Sequence, residues 1–317
     1  MNTFNEKEYL IGTAEYSKNF WDAMRGIQHA YDKIHGGANG ITGGYALPSG
    51  SNEKLQKAIT QESLFRSMAT VIKAYNGASR IFAKDCSDIA AWVPEGGSIP
   101  LQDGVNDFTR YAVDSHKLAV FVKLDDDFVH DAAFSLEDYL TERLAKNLAK
   151  SEDKGFVLGT GEHMPFGILD DTAGAKTGVT TSALCFDDVL RLYHSLDKEY
   201  RKNAVWLMND ETALTLRMVK DSAGNYLWNP SDNTILGKPV VISYDMPSVG
   251  AGAKPIVFGD LSYYWIIDRS PVSIQALKEL FVMLDQVGYL ATEFLDGKLI
   301  RRDALKVLKI SEARPNG

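Results

Sequence analysis

Apolar residues recur every four positions at Leu136, Leu140, Leu144 and Leu148 over charged neighbours, the spacing of one face of an α-helix. Ser135 and Asp138 stand at the spacing of a capping box, with Asp in place of Glu, so the helix is expected to open at Ser135 and run to about Gly155. A turn-rich link follows at Gly159-Thr160-Gly161 and Pro165–Leu169. Upstream, Leu55, Ala58, Ile59, Leu64, Phe65 and Met68 read as short helices between Ser51 and Ile72. The period then changes: Ser79–Ala83 and Ala90–Val93 read as strands, and Tyr111–Leu124 alternates as one long strand.

Between those strands, Val93–Phe108 carries Pro94, Gly96, Gly97, Pro100 and Gly104 and reads as the loop of a long hairpin. Six acids and one arginine, Arg110, fall between Asp85 and His116, giving this hairpin a charge near −5. A two-stranded ribbon is marginal on its own in water, so such a protrusion needs another surface to lie on. The first forty-odd residues read as an arm. Tyr16–Arg25 can form one amphipathic turn or two, and five glycines within His35–Gly44 mark a linker.

From Thr181 to Arg269 helix and strand alternate. Phe186–Leu196 and Asp210–Val219 are helical, the second entered from Asn209, and Ala204–Met208, Pro239–Tyr244, Ile256–Gly259 and Tyr264–Asp268 are strands. Asn229–Gly237 reads as an exposed loop. Toward the C-terminus, Asp296-Gly297 gives a hairpin signal between Tyr289–Leu295 and Lys298–Leu308. The pattern makes the chain an α+β protein.

Composition narrows the function classes. A chain of 317 residues buries about three quarters of its unfolded surface and needs no staples. Its 34 Lys and Arg against 42 Asp and Glu leave a net charge of −8, the wrong sign for a protein whose main task is gripping nucleic acid. Apolar runs such as Leu118–Val122 and Tyr263–Ile267 fall far short of the roughly 20 residues of a membrane helix, so no membrane partner is expected. Cys86 and Cys185 form no CxxC and are expected as two buried thiols.

Candidate chemistry is sparse. Asp125, Asp126, Asp127, His130 and Asp131 could share a helix face as metal ligands or an acid–base pair, but aspartates at a helix start more often satisfy free N–H groups and the dipole. Gly159–Gly167 lacks the GK[ST] ending of a phosphate loop and follows a helix, which makes it a turn. Tyr226-Leu227-Trp228 is expected in a core or subunit contact. No catalytic residue, metal or cofactor is expected, and the chain is not read as an enzyme.

The order of several segments carries a resemblance. Gly43-Gly44-Tyr45-Ala46-Leu47-Pro48, the helical Glu62–Ala69 and Ala91-Trp92-Val93-Pro94-Glu95-Gly96 open the series. Lys117–Leu124, Ser135–Gly161, Pro165-Phe166-Gly167-Ile168-Leu169, Phe258-Gly259-Asp260-Leu261 and Gly288-Tyr289 through Asp296-Gly297-Lys298 continue it. Together they resemble the major capsid proteins of tailed bacteriophages with the Hong Kong 97-type fold, from about Gly43 to Lys309. The resemblance implies an N-terminal arm (1–45), an extended β-hairpin loop (83–118), a peripheral domain with a long spine helix (46–82, 119–180 and 280–317) and an axial domain (181–279).

It also implies a subunit that assembles with itself as hexamers and pentamers into an icosahedral head enclosing double-stranded DNA without sequence specificity. Scaffold, portal and decoration proteins would be separate partners, and the virion, assembled in the host cytoplasm, would be its location. The acidic loop gains its surface on a neighbouring subunit. Trp92, Glu95, Asp103, Asp107, Arg110, Arg301 and Arg302 are the expected subunit contacts, and Arg301, Arg302, Lys306 and Lys309 the expected local contacts to DNA. Some family members cross-link through a loop lysine, yet Asp85–His116 contains none. Before Gly43 the chain carries only an arm, so scaffolding is expected from a separate protein or not at all. The alternatives are an encapsulin-like compartment and, in a different class, a metal-dependent enzyme using the Asp125–Asp131 cluster.

Overall fold

A computed structural model describes residues 10–38, 44–75, 80–84, 108–131, 133–220, 223–228 and 233–312. Cys86, the expected strand at Ala90–Val93, Trp92, Glu95, Asp103 and Asp107 lie outside them. Near the N-terminus, α1 (Ala14–Met24) is capped by Thr13, whose hydroxyl accepts from the Tyr16 N–H at 3.2 Å, and α2 (Gln28–Ile34) follows. The helix is longer than the one or two turns expected, because Tyr16, Phe20, Ala23 and Met24 form a continuous stripe buried against the sheet. Tyr16 donates to Ala46 O at 2.7 Å and Tyr289 to Met24 O at 3.1 Å, so this part of the arm is docked onto the body.

The chain then forms β1 (Tyr45–Ala46), α3 (Ser49–Glu62), α4 (Leu64–Met68) and β2 (Thr70–Lys73). Next come β3 (Arg80–Lys84), β4 (Phe108–Ala112), β5 (His116–Asp125) and α5 (Asp126–His130). The expected single strand from Tyr111 to Leu124 is two strands. Among the described residues β4 pairs only with β3, whereas β5 pairs with β12 (Gln286–Leu299), and the change of partner breaks the strand at 113–115.

Helix α6 (Leu136–Leu158) follows the sequence pattern closely. Ser135 Oγ accepts from the Asp138 N–H and donates to Asp138 Oδ2 at 2.7 Å, and Leu136, Leu140, Leu144, Leu148 and Phe156 are all buried. Ser135→Ala should cost about 1 kcal/mol of stability, read as a lower urea midpoint at an unchanged slope.

Beyond α6 lie β6 (Lys176–Thr181), α7 (Phe186–Ser195), β7 (Val205–Met208), α8 (Asp210–Arg217), β8 (Thr234–Ile235), β9 (Lys238–Ile242), β10 (Ile256–Gly259), β11 (Tyr264–Leu277) and β13 (Leu305–Ile310). Two larger sheets result: β1-β11-β12-β5, with β2 alongside β11, and β6-β13-β10-β7-β9-β8. The first is covered by α1, α3 and α6; the second packs on α7 and α8 around Trp206 and Phe258, whose rings stack at 4.0 Å. The strands therefore divide differently from the expected 181 and 280 boundaries. β11 joins the sheet of β5 and β12, and β13 returns to the other sheet.

Four local expectations change. Tyr264–Asp268 is only the start of the 14-residue β11. Asp296-Gly297 is no turn, since β12 passes straight through it paired with Ile266 and Ile267. Gly297 is required there by close approach: a Cβ would lie 2.4 Å from Tyr264 Oη. Within Asn229–Gly237, Ile235 is buried, and its carbonyl accepts from Trp206 Nε1 at 3.0 Å. Cys185 is exposed rather than buried, because it stands at the N-terminal end of α7, where its N–H and thiol both meet Asp188 Oδ2. That hydrogen bond pushes the thiol pKa up.

Candidate functional site

The most concentrated electrostatics of the molecule are buried. Arg66, on α4, directs its Nε and Nη2 to the two carboxylate oxygens of Glu152 at 2.6 and 2.7 Å. Its Nη2 and Nη1 also donate to Asp268 at 2.9 and 3.2 Å. One planar fork thus ties α4 to the long helix α6 and to β11, the geometry for which guanidinium is suited and ammonium is not. Glu293 on β12 is fully enclosed beside them. Burial, reinforced by Glu152 and Asp268, holds its carboxyl well above the usual carboxylate range despite Arg66. Its Oε1 has no partner among the described residues. Asp153, next along α6, accepts from Ser63 Oγ at 2.6 Å and from the Leu64 and Phe65 N–H groups, fixing the start of α4.

A second cluster marks the root of the hairpin. Asp114, His116 and Asp296 bring one ligand atom each within 4.8 Å of one another, the only such trio among the described residues. Lys298 already supplies a cation there, 3.0 Å from Asp114 and 3.4 Å from Asp296, and its ammonium also donates to Ala112 O at 2.6 Å. This pairing holds the Asp114 carboxyl below its ordinary range. Asp296 further accepts from the Asp114 N–H at 2.8 Å, and Tyr111 donates to Ile300 O at 2.7 Å. The cluster is a latch that fixes where the ribbon of β3 and β4 leaves the body.

The acidic run at 125–131 makes helix and turn contacts instead. Asp125 Oδ1 accepts from Gln286 Nε2, Asp126 lies 3.4 Å from His130, and Asp131 Oδ1 accepts from the Ala133 N–H. Asp125 makes no side-chain cap, although Asp126 and Asp127 do sit in the first turn of α5.

Of the expected contact residues that are described, Arg110 is exposed over the Phe82 ring at 5.8 Å, on the ribbon. Arg301 is half-buried beside Tyr200 and Tyr263. Arg302 donates to Gly174 O and Asp171 O at 2.7 and 2.9 Å, and Lys306 pairs with Asp303 at 3.0 Å. Much of the basic C-terminal stretch is thus engaged within the chain. Of Tyr226-Leu227-Trp228, only Trp228 is buried; the other two side chains are exposed. The turn between β11 and β12 exposes Leu280, Val282, Met283 and Leu284, with Met283 92% exposed. No described helix is long and apolar enough to cross a membrane.

Arg66 lies in a segment that the sequence pattern marks, but its partners do not stand out. One signal was available: Glu152 continues the four-residue series of Leu144 and Leu148, placing a carboxylate on the apolar stripe.

The described residues thus form a body of two sheets and a long helix, with a ribbon latched at its root and apolar side chains exposed at the turn between β11 and β12. The fold is the α+β Hong Kong 97 type. The capsid of an empty GTA particle superposes with a TM-score of 0.67 at 28% identity, covering 79% of this chain and 90% of that one. The capsid of the native GTA particle gives 0.64 at 27% identity, covering 78% and 89%. A structure from Microbacterium phage Oxtober96, at 16% identity and a TM-score of 0.57 over 79% and 91%, shares the fold. No curated protein matches the sequence. The chain belongs to the phage capsid family, whose model matches residues 43–310. It is a major capsid protein, a self-associating component of the head shell.

Proposed function

We propose that the chain assembles as hexamers and pentamers into an icosahedral shell around double-stranded DNA, in the host cytoplasm, with separate scaffold, portal and decoration proteins. The observation that carries this reading is the likeness to the GTA capsids, nine-tenths of whose chains it spans. In this reading the sheet of β5, β11 and β12 with α6 forms the peripheral part, and the sheet of β6, β7, β9, β10 and β13 the axial part. A subunit of charge −8 holds DNA by confinement, without base readout. Trp92, Glu95, Asp103, Asp107 and Arg110 contribute contacts between subunits from the loop, and Arg301 and Arg302 from the region that follows β12.

Cohesion is expected to be non-covalent, since a lysine-free loop between Asp85 and His116 removes the amine that an isopeptide bond requires. Sedimentation of protein co-expressed with its neighbouring phage genes should give capsomers or shells, and shells boiled in SDS should run as one band near 35 kDa. A monomer under every such condition contradicts assembly, and a reductant-resistant ladder contradicts non-covalent cohesion.

A further inference from the structure

The solvent-facing ridge of α6 carries a run of cations. Arg143, Asn147, Lys150 and Lys154 fall at helical spacing along one face and are all exposed, and Lys146 joins them one turn before Lys150. At about 1.5 Å per residue this ridge, residues 143–154, is about 16 Å long. The two acids within the span are engaged elsewhere: Glu152 with Arg66, and Asp153 with Ser63 and the start of α4.

The chain's own contacts do not account for the run. Cations favour the C-terminal end of a helix dipole only within the last turn, and the last turn of α6 holds no basic residue. Lys146 pairs with Glu142 at 2.9 Å, whereas Lys150 and Lys154 make no ion pair or side-chain hydrogen bond among the described residues. Both only oppose, through the field, the upward push of burial on the Asp245 carboxyl beyond β9. The basic stretch after β12 differs, since Arg302 and Lys306 spend donors on Gly174, Asp171 and Asp303.

The composition of the ridge selects its occupant. Every exposed residue from 143 to 154 is charged or polar, so a protein partner finds no apolar or aromatic anchor there. A phosphate backbone needs only cations and polar donors at intervals. The length of the ridge is about half of a helical turn of duplex, itself about 34 Å.

We propose that residues 143–154 of α6 form the surface of the subunit that meets DNA, their cations contacting backbone phosphates without reading bases. The inference rests on the reading of the chain as a shell subunit around DNA and names the surface involved. A net charge of −8 keeps the contact of one copy weak, and the many copies of a shell sum it.

The test compares the full-length parent, as unassembled chain, with a variant carrying Arg143→Gln, Lys146→Gln, Lys150→Gln and Lys154→Gln. A control carries Lys18→Gln, Lys33→Gln, Lys198→Gln and Lys202→Gln, equally exposed positions that remove the same charge. Fluorescence anisotropy of a labelled mixed-sequence duplex is followed from about 50 to about 200 mM salt. Each phosphate contact contributes about −0.9 to the slope of log K against log salt, so the α6 variant should lose about 3 to 4 from the steepness and bind about tenfold more weakly at the low-salt end. The control should keep the parent slope to within about 1, and Lys146→Arg with Lys150→Arg and Lys154→Arg should keep it as well. Ultraviolet cross-linking of DNA-filled shells should place nucleotide adducts on peptides from residues 143–154.

An α6 variant with the parent slope, or filled shells whose adducts fall only elsewhere, would overturn the proposal. A variant that binds DNA like the parent but no longer forms shells would assign the ridge to a protein partner in assembly, also against it. Where the fourfold variant does not fold, Lys150→Gln with Lys154→Gln carries the test at about half the slope change. Failure of the parent to form shells would defeat the shell reading, while the salt slope of the unassembled chain would still decide the ridge.

Discussion

Arg66→Ala should lower stability by about 3–5 kcal/mol, because it leaves Glu152 and Asp268 buried without their cation. A domain is stable by only about 5–15 kcal/mol, so the variant should lose most of its soluble yield, with thermal melting of the remainder shifted sharply down. Arg66→Lys should recover only part of the loss, since an ammonium cannot present the fork that reaches both carboxylates at once. A melting temperature for Arg66→Ala within a degree or two of the parent would show that this frame does not hold α4, α6 and β11 together.

Glu293→Gln should act in the opposite direction and in a pH-dependent way. Below about pH 4.5 the carboxyl is protonated in both folded and unfolded chains and contributes no slope. Above that, the unfolded chain releases the proton while the folded chain, with its raised pKa, keeps it. Stability then falls with rising pH by about 1.4 kcal/mol per unit until the folded pKa is reached. Glutamine stays neutral throughout. The variant should therefore match the parent near pH 4 and melt several degrees higher at pH 8, with a flatter profile between. A parallel pair of profiles would mean that Glu293 is ionised in the fold.

These two residues also show what the sequence makes legible. The start of α6 at Ser135 and that of α8 at Asn209, whose side chain accepts from the Thr212 N–H at 2.8 Å, depend on groups within one turn, so local spacing discloses them. Asp296-Gly297 has turn chemistry of the same local kind, but long-range demands override it. Asp296 is buried to receive the Asp114 N–H across 182 residues of sequence, and Gly297 leaves room for Tyr264. The ionic frame is harder still to foresee, since Arg66 and Asp268 stand 202 residues apart and only Glu152, a carboxylate on an apolar stripe, hints at it. The family was readable from ordered motifs between Gly43 and Lys309, close to the matched 43–310. The sheet membership of β11 and β13 was not, because neither strand's periodicity records its partner.

Electron microscopy of the purified protein, co-expressed with its neighbouring phage genes, addresses the central claim directly. Closed icosahedral shells whose reconstructed density accepts this subunit, with α6 and the β3–β4 ribbon repeated in every copy, are the predicted result. Dispersed monomers, or assemblies whose density does not accommodate the two-sheet fold, would contradict it.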